Sequence, residues 1–220
     1  MHGELIVVDD VPGEFAERVV EAFHARPGEG FSLVLSGGET ARRCYERLAA
    51  DGGDQIDWWQ VDVYWGDERC VPPDHPDSNE RLGREALLER VGAANAVYPM
   101  RGDDGADPYQ QRVGDLGRFD LVHLGLGPDG HTASLFPGSP ALTADPGRLV
   151  AMNEDPAGVH PYQRMTLTYS GIARARLVLV TVEGEEKRGA LDAVRQDDDV
   201  PATAIRADRV VWLADRAAAG

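Results

Sequence analysis

The sequence predicts an α/β protein: a mostly parallel, Rossmann-like open sheet with helices on both faces. Three observations carry that expectation. Short apolar runs recur along the chain and alternate with stretches whose apolar residues fall at helical spacing. Several of those runs end abruptly in loops rich in glycine or charge. The 220 residues are 42% hydrophobic and 27% charged, enough apolar material for one full core, so a single domain over 1–220 is expected.

Taken in order, Leu5 to Val8 is the first strand. Gly13 to Arg26 carries Phe15, Ala16, Val19, Val20 and Phe23 at helical spacing, and Pro27-Gly28 breaks it. Phe31 to Leu35 is a second strand that runs into Ser36-Gly37-Gly38. Thr40 to Ala50 reads as a helix. Val61 to Trp65 is a third strand, followed by Gly66-Asp67-Glu68-Arg69 and a proline-rich loop. Ser78 is placed to cap a helix over Asn79 to Val91. Ala96 to Met100 is a short strand. Gly102 to Gly117 is polar and poorly periodic, and reads as a loop with at most a short helix around Pro108 to Val113.

Leu121 to Leu124 is a buried strand that opens into Gly125-x-Gly127-x-x-Gly130, with His131 directly behind. Ala133 to Phe136 is expected to begin a short helix, which would aim its N-terminus at the glycine turn. Arg148 to Met152, Arg164 to Tyr169, Arg176 to Val182 and Arg209 to Leu213 are further strands. Ile172 to Arg174 is one helical turn, and Gly184 to Arg195 a helix that carries Lys187.

A net charge of −16 argues against nucleic acid and against anionic membrane surfaces as partners. Cys44 and Cys70 have no metal or disulfide spacing, and the histidines are scattered, so neither a metal nor another cofactor is expected. The N-terminus has no basic segment leading an apolar one, and no run approaches a membrane span, which suggests a cytoplasmic protein. The oligomeric expectation is a monomer or weak homodimer.

Parallel strands bring their C-terminal ends to one edge, where such sheets bind ligands. Three of those ends carry possible chemistry. Ser36-Gly37-Gly38 ahead of a helix is an anion cradle, or only a turn that needs glycine. Glu39 beside it opposes phosphate unless it points outward. Asp67-Glu68-Arg69 is a charged cluster, or a surface ion pair. The Gly125–Gly130 turn formally matches a dinucleotide fingerprint, but Pro128 removes a donor from it and the required downstream acid is not evident.

In so acidic a protein, Arg69, Arg164 and Lys187 (the single lysine) are the candidates for a local positive pocket. Arg42, Arg43 and Arg81 are less specific. His131, with Asp129 two residues before it, is a candidate general base. No nucleophile elbow is present and neither cysteine has an activating base. Attack by an activated water is therefore the simpler reading.

The segments LVLSGGETA, WGDERCVPPDHPDSN, FDLVHLGLGPDGHTASLFPG, QRMTLTY and VEGEEKRGAL, in that order, resemble the 6-phosphogluconolactonase branch of the family that also contains glucosamine-6-phosphate deaminase. The deaminase branch typically follows DGH with Ile-Ala-Phe-Asn-Glu-Pro; here Thr-Ala-Ser-Leu-Phe-Pro follows. The resemblance implies metal-free hydrolysis of 6-phosphoglucono-1,5-lactone, a small sugar-phosphate partner, in the oxidative pentose phosphate pathway. It implies His131 as the base, Asp129 orienting it or binding a sugar hydroxyl, and Arg69 near the reacting end or the substrate oxygens. It assigns the phosphate to Arg164, Lys187 and the Ser36-Gly37-Gly38 backbone, and makes Asn79 a support of the Asp67–Arg69 loop. This chain departs from the family where SGGSTP is replaced by SGGETA. A deaminase or isomerase, and a sugar-phosphate sensor without catalysis, are the competing readings.

Overall fold

The computed structural model describes residues 1–220. Ten strands and eight α-helices run in the order β1 (Glu4–Val7), α1 (Val11–His24), β2 (Phe31–Leu35), α2 (Glu39–Arg47), β3 (Val61–Trp65), β4 (Asp67–Arg69), α3 (Asn79–Gly83), α4 (Glu89–Val91), β5 (Ala96–Tyr98), α5 (Asp107–Leu116), β6 (Phe119–Gly125), β7 (Val150–Asn153), β8 (Arg164–Leu167), α6 (Tyr169–Ile172), β9 (Ala175–Val182), α7 (Arg188–Gln196), β10 (Arg209–Ala214) and α8 (Arg216–Ala219). A π turn, Arg84–Leu88, joins α3 to α4 into the single helical stretch expected over Asn79 to Val91. Ser78 caps it as its position predicts, accepting the Arg81 N–H at 3.2 Å.

Seven strands form one all-parallel sheet in the order β1-β10-β9-β6-β2-β3-β5, with helices around it. A continuous hydrophobic cluster runs through it, from Phe15 on α1 to Trp212 on β10. From β2 the chain proceeds outward through β3 and β5. From β6 it proceeds the other way through β9 and β10. The β2–β6 boundary is therefore the topological switch point, where such sheets leave a crevice. The register shows that crevice opening: β2 and β6 pair only at Leu33↔Leu121 and Val34↔Val122. No helix is long and apolar enough to cross a membrane.

Three expectations need correction. First, β4, β8 and β7 do not join the parallel sheet but form a separate three-stranded antiparallel one. The charged residues of Asp67–Arg69 hid β4, because strand composition there is overridden by pairing with β8. Second, Gly102 to Gly117 holds a ten-residue helix, α5, longer than the short helix around Pro108 to Val113 that the sequence allowed. Only Tyr109 and Val113 face inward, too few for a visible period. The Tyr109 hydroxyl fixes the helix from outside its own sequence by bonding both Trp65 N and Trp65 O.

Third, no helix follows the glycine turn. Ala133 has φ +48° and an isolated bridge joins Thr132 to Leu135, so no helix N-terminus faces the turn.

His123 on β6 is fully buried, and burial pushes its imidazole down to about 3. Below about pH 6.5 the unfolded chain binds a proton that the folded chain refuses. Stability is therefore highest above that pH and falls toward pH 3, by on the order of 4 kcal/mol from this group. Urea unfolding of wild type and His123→Leu between pH 7 and 4 should show a shallower acid loss in the variant.

Candidate active site

Three sheet-edge segments, the start of α3 and the small sheet meet in a cleft of about 270 Å³ at the switch point, lined mostly by polar groups. Ser36, Gly37 and Gly38 come from the end of β2, and Gly125 to His131 from the end of β6. Lys187 comes from the turn after β9. Arg69 and Arg164 come from the small sheet, and Asn79 opens α3. All nine residues singled out in the sequence are in or beside this one cleft: eight line it, and Asp129 stands behind His131.

The turn after β6 is closed by its own backbone. Gly127 N–H donates to His131 O at 2.8 Å and Gly130 N–H to Gly127 O at 3.0 Å. Gly127 is required there, because a Cβ would lie 2.1 Å from His131 Nδ1. His131 Nδ1 lies 2.5 Å from Asp129 Oδ1, and that oxygen also accepts the His131 backbone N–H at 3.2 Å. An ionised carboxylate only accepts, so the imidazole proton is on Nδ1 and Nε2 is bare, free to accept a proton.

Burial lowers the His131 pKa below the ordinary imidazole value and outweighs the opposing pull of Asp129. Burial acts to raise the Asp129 carboxyl, yet attraction to His131 and its hydrogen bonds hold it below the usual range. The pair is thus a neutral imidazole on an anionic carboxylate at pH 7.

The cations are set by the small sheet. Arg69 and Arg164 are directly opposite each other in the β4–β8 ladder. Like charges at that spacing repel. Neither they nor Lys187 forms an ion pair, whereas Arg42, Arg43 and Arg81 each pair with a glutamate. Each guanidinium is steadied by one carbonyl, Arg69 by Asp77 and Arg164 by Pro161, and each keeps a buried Nε without a partner. Burial pulls the Arg164 pKa downward and outweighs the opposing attraction of Asp67 and Glu68, neither of which forms an ion pair with it.

The Ser36-Gly37-Gly38 turn offers the Gly37 and Gly38 N–H groups, neither of which has an acceptor in the protein. The Ser36 N–H is taken by Tyr45 Oη. Gly38 has φ +96° and precedes α2, which adds its positive end. Glu39 is exposed and does not line the cleft, so the carboxylate that departs from the family pattern points away.

Asn79 supports the Asp67–Arg69 segment as expected, donating from Nδ2 to Asp67 O at 2.9 Å and to Asp67 Oδ1 at 3.2 Å. Glu68 completes the anchor by accepting the Arg69, Asn79 and Glu80 backbone N–H groups.

Three more residues line the cleft: Asp67, which the sequence placed only in a charged cluster, and Phe136 and His160, which it assigned no role. Asp67 is buried and accepts the Ser134 hydroxyl at 2.6 Å. His160 stacks on Phe136 with ring centroids 4.9 Å apart, and its ring lies 4.7 Å from that of His131. The only local signal for His160 is Asp155, whose carboxylate accepts the Ala157, Val159 and His160 N–H groups and curls the loop toward the cleft. The histidines are therefore not all scattered: Asp129, His131 and His160 offer ligand atoms within 4.8 Å of one another. One Asp129 oxygen of that trio is already engaged by His131 Nδ1.

Residues 7–212 match the family model described as glucosamine-6-phosphate isomerases/6-phosphogluconolactonase. A curated 6-phosphogluconolactonase of Synechocystis sp. is 38% identical over 221 residues, covering 91% of this chain and 88% of its own. One from Mycobacterium tuberculosis is 38% identical over 85% of this chain and 83% of its own. The crystal structure of a Thermotoga maritima 6-phosphogluconolactonase superposes with a TM-score of 0.84 at 28% identity, covering 97% of this chain and 99% of that one.

Proposed function

Since the chain belongs to the glucosamine-6-phosphate isomerase/6-phosphogluconolactonase family, we propose that it hydrolyses 6-phospho-D-glucono-1,5-lactone to 6-phospho-D-gluconate in the oxidative pentose phosphate pathway, with His131 activating water. The observation that carries the reading is the cleft itself. In a protein of net charge −16, three cations without carboxylate partners face an imidazole–carboxylate pair across about 270 Å³. An anionic substrate with a hydrolysable carbonyl at its far end fits that arrangement.

The Gly37 and Gly38 N–H groups, Lys187 and Arg164 hold the phosphate, and Arg69 borders both ends of the substrate. His131 Nε2 removes a proton from water as its oxygen attacks the lactone carbonyl carbon. Negative charge moves to the carbonyl oxygen, where the neighbouring cations stabilise it. Collapse of the tetrahedral intermediate breaks the bond to the ring oxygen, and the His131 imidazolium returns the proton there. Asp129 keeps the ring oriented and stabilises the transient imidazolium. The phosphate anchor contributes orientation, the largest help a reactive ester needs. Every group named comes from one chain, which supports action as a monomer or weak homodimer. A phosphorylated substrate is consistent with a cytoplasmic setting.

A coupled assay on purified protein should show acid release well above the spontaneous rate and unaffected by a chelator. Release no faster than background would refute the assignment. The pH profile carries a signature. Only neutral His131 accepts a proton, and its pKa lies below the ordinary 6.5, so the acid limb of kcat/KM should have its midpoint below pH 6.5. A limb at or above pH 7 would point to a different base. Lys187→Ala should raise KM by about 10–100-fold, the worth of one charge-assisted hydrogen bond, while kcat changes far less.

A further inference from the structure

The strands that carry the two central loops are tied together at their ends by side chains. The β2–β6 ladder stops after Val34↔Val122. Just beyond it, the Ser36 N–H donates to Tyr45 Oη at 2.6 Å. That oxygen lies 2.8 Å from His123 Nδ1 and 3.2 Å from Ser36 O. His123 Nε2 lies 2.9 Å from Thr181 Oγ1. Tyr45 and His123 are fully buried, and the Phe15 ring lies 4.4 Å from the imidazole.

The phenol has one proton, and the shorter contact directs it to Nδ1. His123, neutral because it is buried, then carries its proton on Nε2 and donates it to Thr181. The result is one directed chain from Ser36 N–H through Tyr45 and His123 to Thr181. It crosses β2, α2, β6 and β9. Three of these, β2, β6 and β9, lead directly into segments that line the cleft: Ser36-Gly37-Gly38, Gly125 to His131, and Lys187.

We propose that Tyr45, His123 and Thr181 are positioning residues for the phosphate cradle. They hold Ser36, and through it the Gly37 and Gly38 N–H groups, at a set distance from Lys187 without touching substrate. This rests on the phosphate assignment above. It requires buried polar groups in a place where an apolar core would satisfy packing alone, and every polar atom in the chain of bonds has a partner.

The test is a split between KM and kcat. Tyr45→Phe removes only the hydroxyl. It should raise KM for the phosphorylated lactone by about 10-fold, since small misplacements of a binding group cost that much or more. Competitive inhibition by inorganic phosphate should weaken by the same factor, while kcat and its pH limb stay within about 2-fold of wild type. His123→Leu should behave like Tyr45→Phe. His123→Asn keeps an acceptor near the Nδ1 position and should recover most of the affinity, which a purely structural role would not predict. Should Tyr45→Phe fail to fold, the His123 pair decides alone.

An unchanged KM and phosphate inhibition constant, a fall in kcat at constant KM, or equal behaviour of His123→Asn and His123→Leu would each overturn the proposal. If wild type hydrolyses no lactone, the functional reading fails on its own. Phosphorus NMR line broadening of inorganic phosphate then separates the two: weaker binding in Tyr45→Phe supports the positioning role, and equal binding overturns it.

Discussion

His131→Ala is expected to lower kcat by about 10²–10⁴-fold, the usual contribution of a general base, while inorganic phosphate still competes with substrate at its wild-type concentration. The two halves of that result come from different parts of the cleft. The imidazole is held by Asp129 and by the Gly127–Gly130 turn, on the loop after β6. The proposed phosphate donors come from the loops after β2 and β9 and from the small sheet. Removing the ring leaves those donors in place, so binding should survive. Asp129→Asn should fall between wild type and His131→Ala. It keeps an acceptor for Nδ1–H but loses the charge that stabilises the imidazolium. Full activity in His131→Ala would show that the water is activated elsewhere, with His160 as the first residue to test.

Gly37→Ala should damage both substrate binding and stability. An added Cβ would lie 1.8 Å from Asn79 Oδ1 and 2.4 Å from Asn79 Cγ. The Asn79 side chain is buried and committed to both Asp67 O and Asp67 Oδ1, so it cannot swing aside without releasing them. Asp67 begins the strand that presents Arg69 opposite Arg164. The methyl group therefore disturbs the cradle, the asparagine and the paired arginines together. Expected effects are a kcat/KM lower by about 10²-fold, through misplacement of binding groups, and a loss of about 1–3 kcal/mol from unpaired buried polar groups. Steady-state kinetics and urea unfolding read the two separately. Gly38→Ala is the contrast: open space surrounds that position, and its cost is the φ of +96° alone.

The fold class, the mostly parallel sheet and the family could be read from the chain because each rests on local pattern. Phe31 to Leu35 and Val61 to Trp65 are apolar but for Ser32 and Asp62, and the structure starts and ends both strands at those residues. His131, Asp129 and the Ser36-Gly37-Gly38 turn were visible because glycines clustered at a strand end mark a place where backbone N–H groups can approach a ligand closely. Arg69, Arg164 and Lys187 were visible as charges, without any sign of how they meet. His160 was not visible, since nothing in Asp155 to Pro161 says which way that loop folds, and Asp67 was visible only as a member of a charged cluster.

What the sequence determined by itself, then, was the alternation of elements and the kinds of chemical group available at the sheet edge. Both follow from hydrophobic periodicity and turn residues within a few positions of one another. The tertiary structure alone decided that Arg69 faces Arg164 across a second sheet and that Tyr45 and His123 continue where the β2–β6 ladder ends. It also decided that α5 is a helix, through the bonds of Tyr109 to Trp65. Those outcomes depend on strand register and packing between segments tens of residues apart, which the local pattern of either segment does not encode.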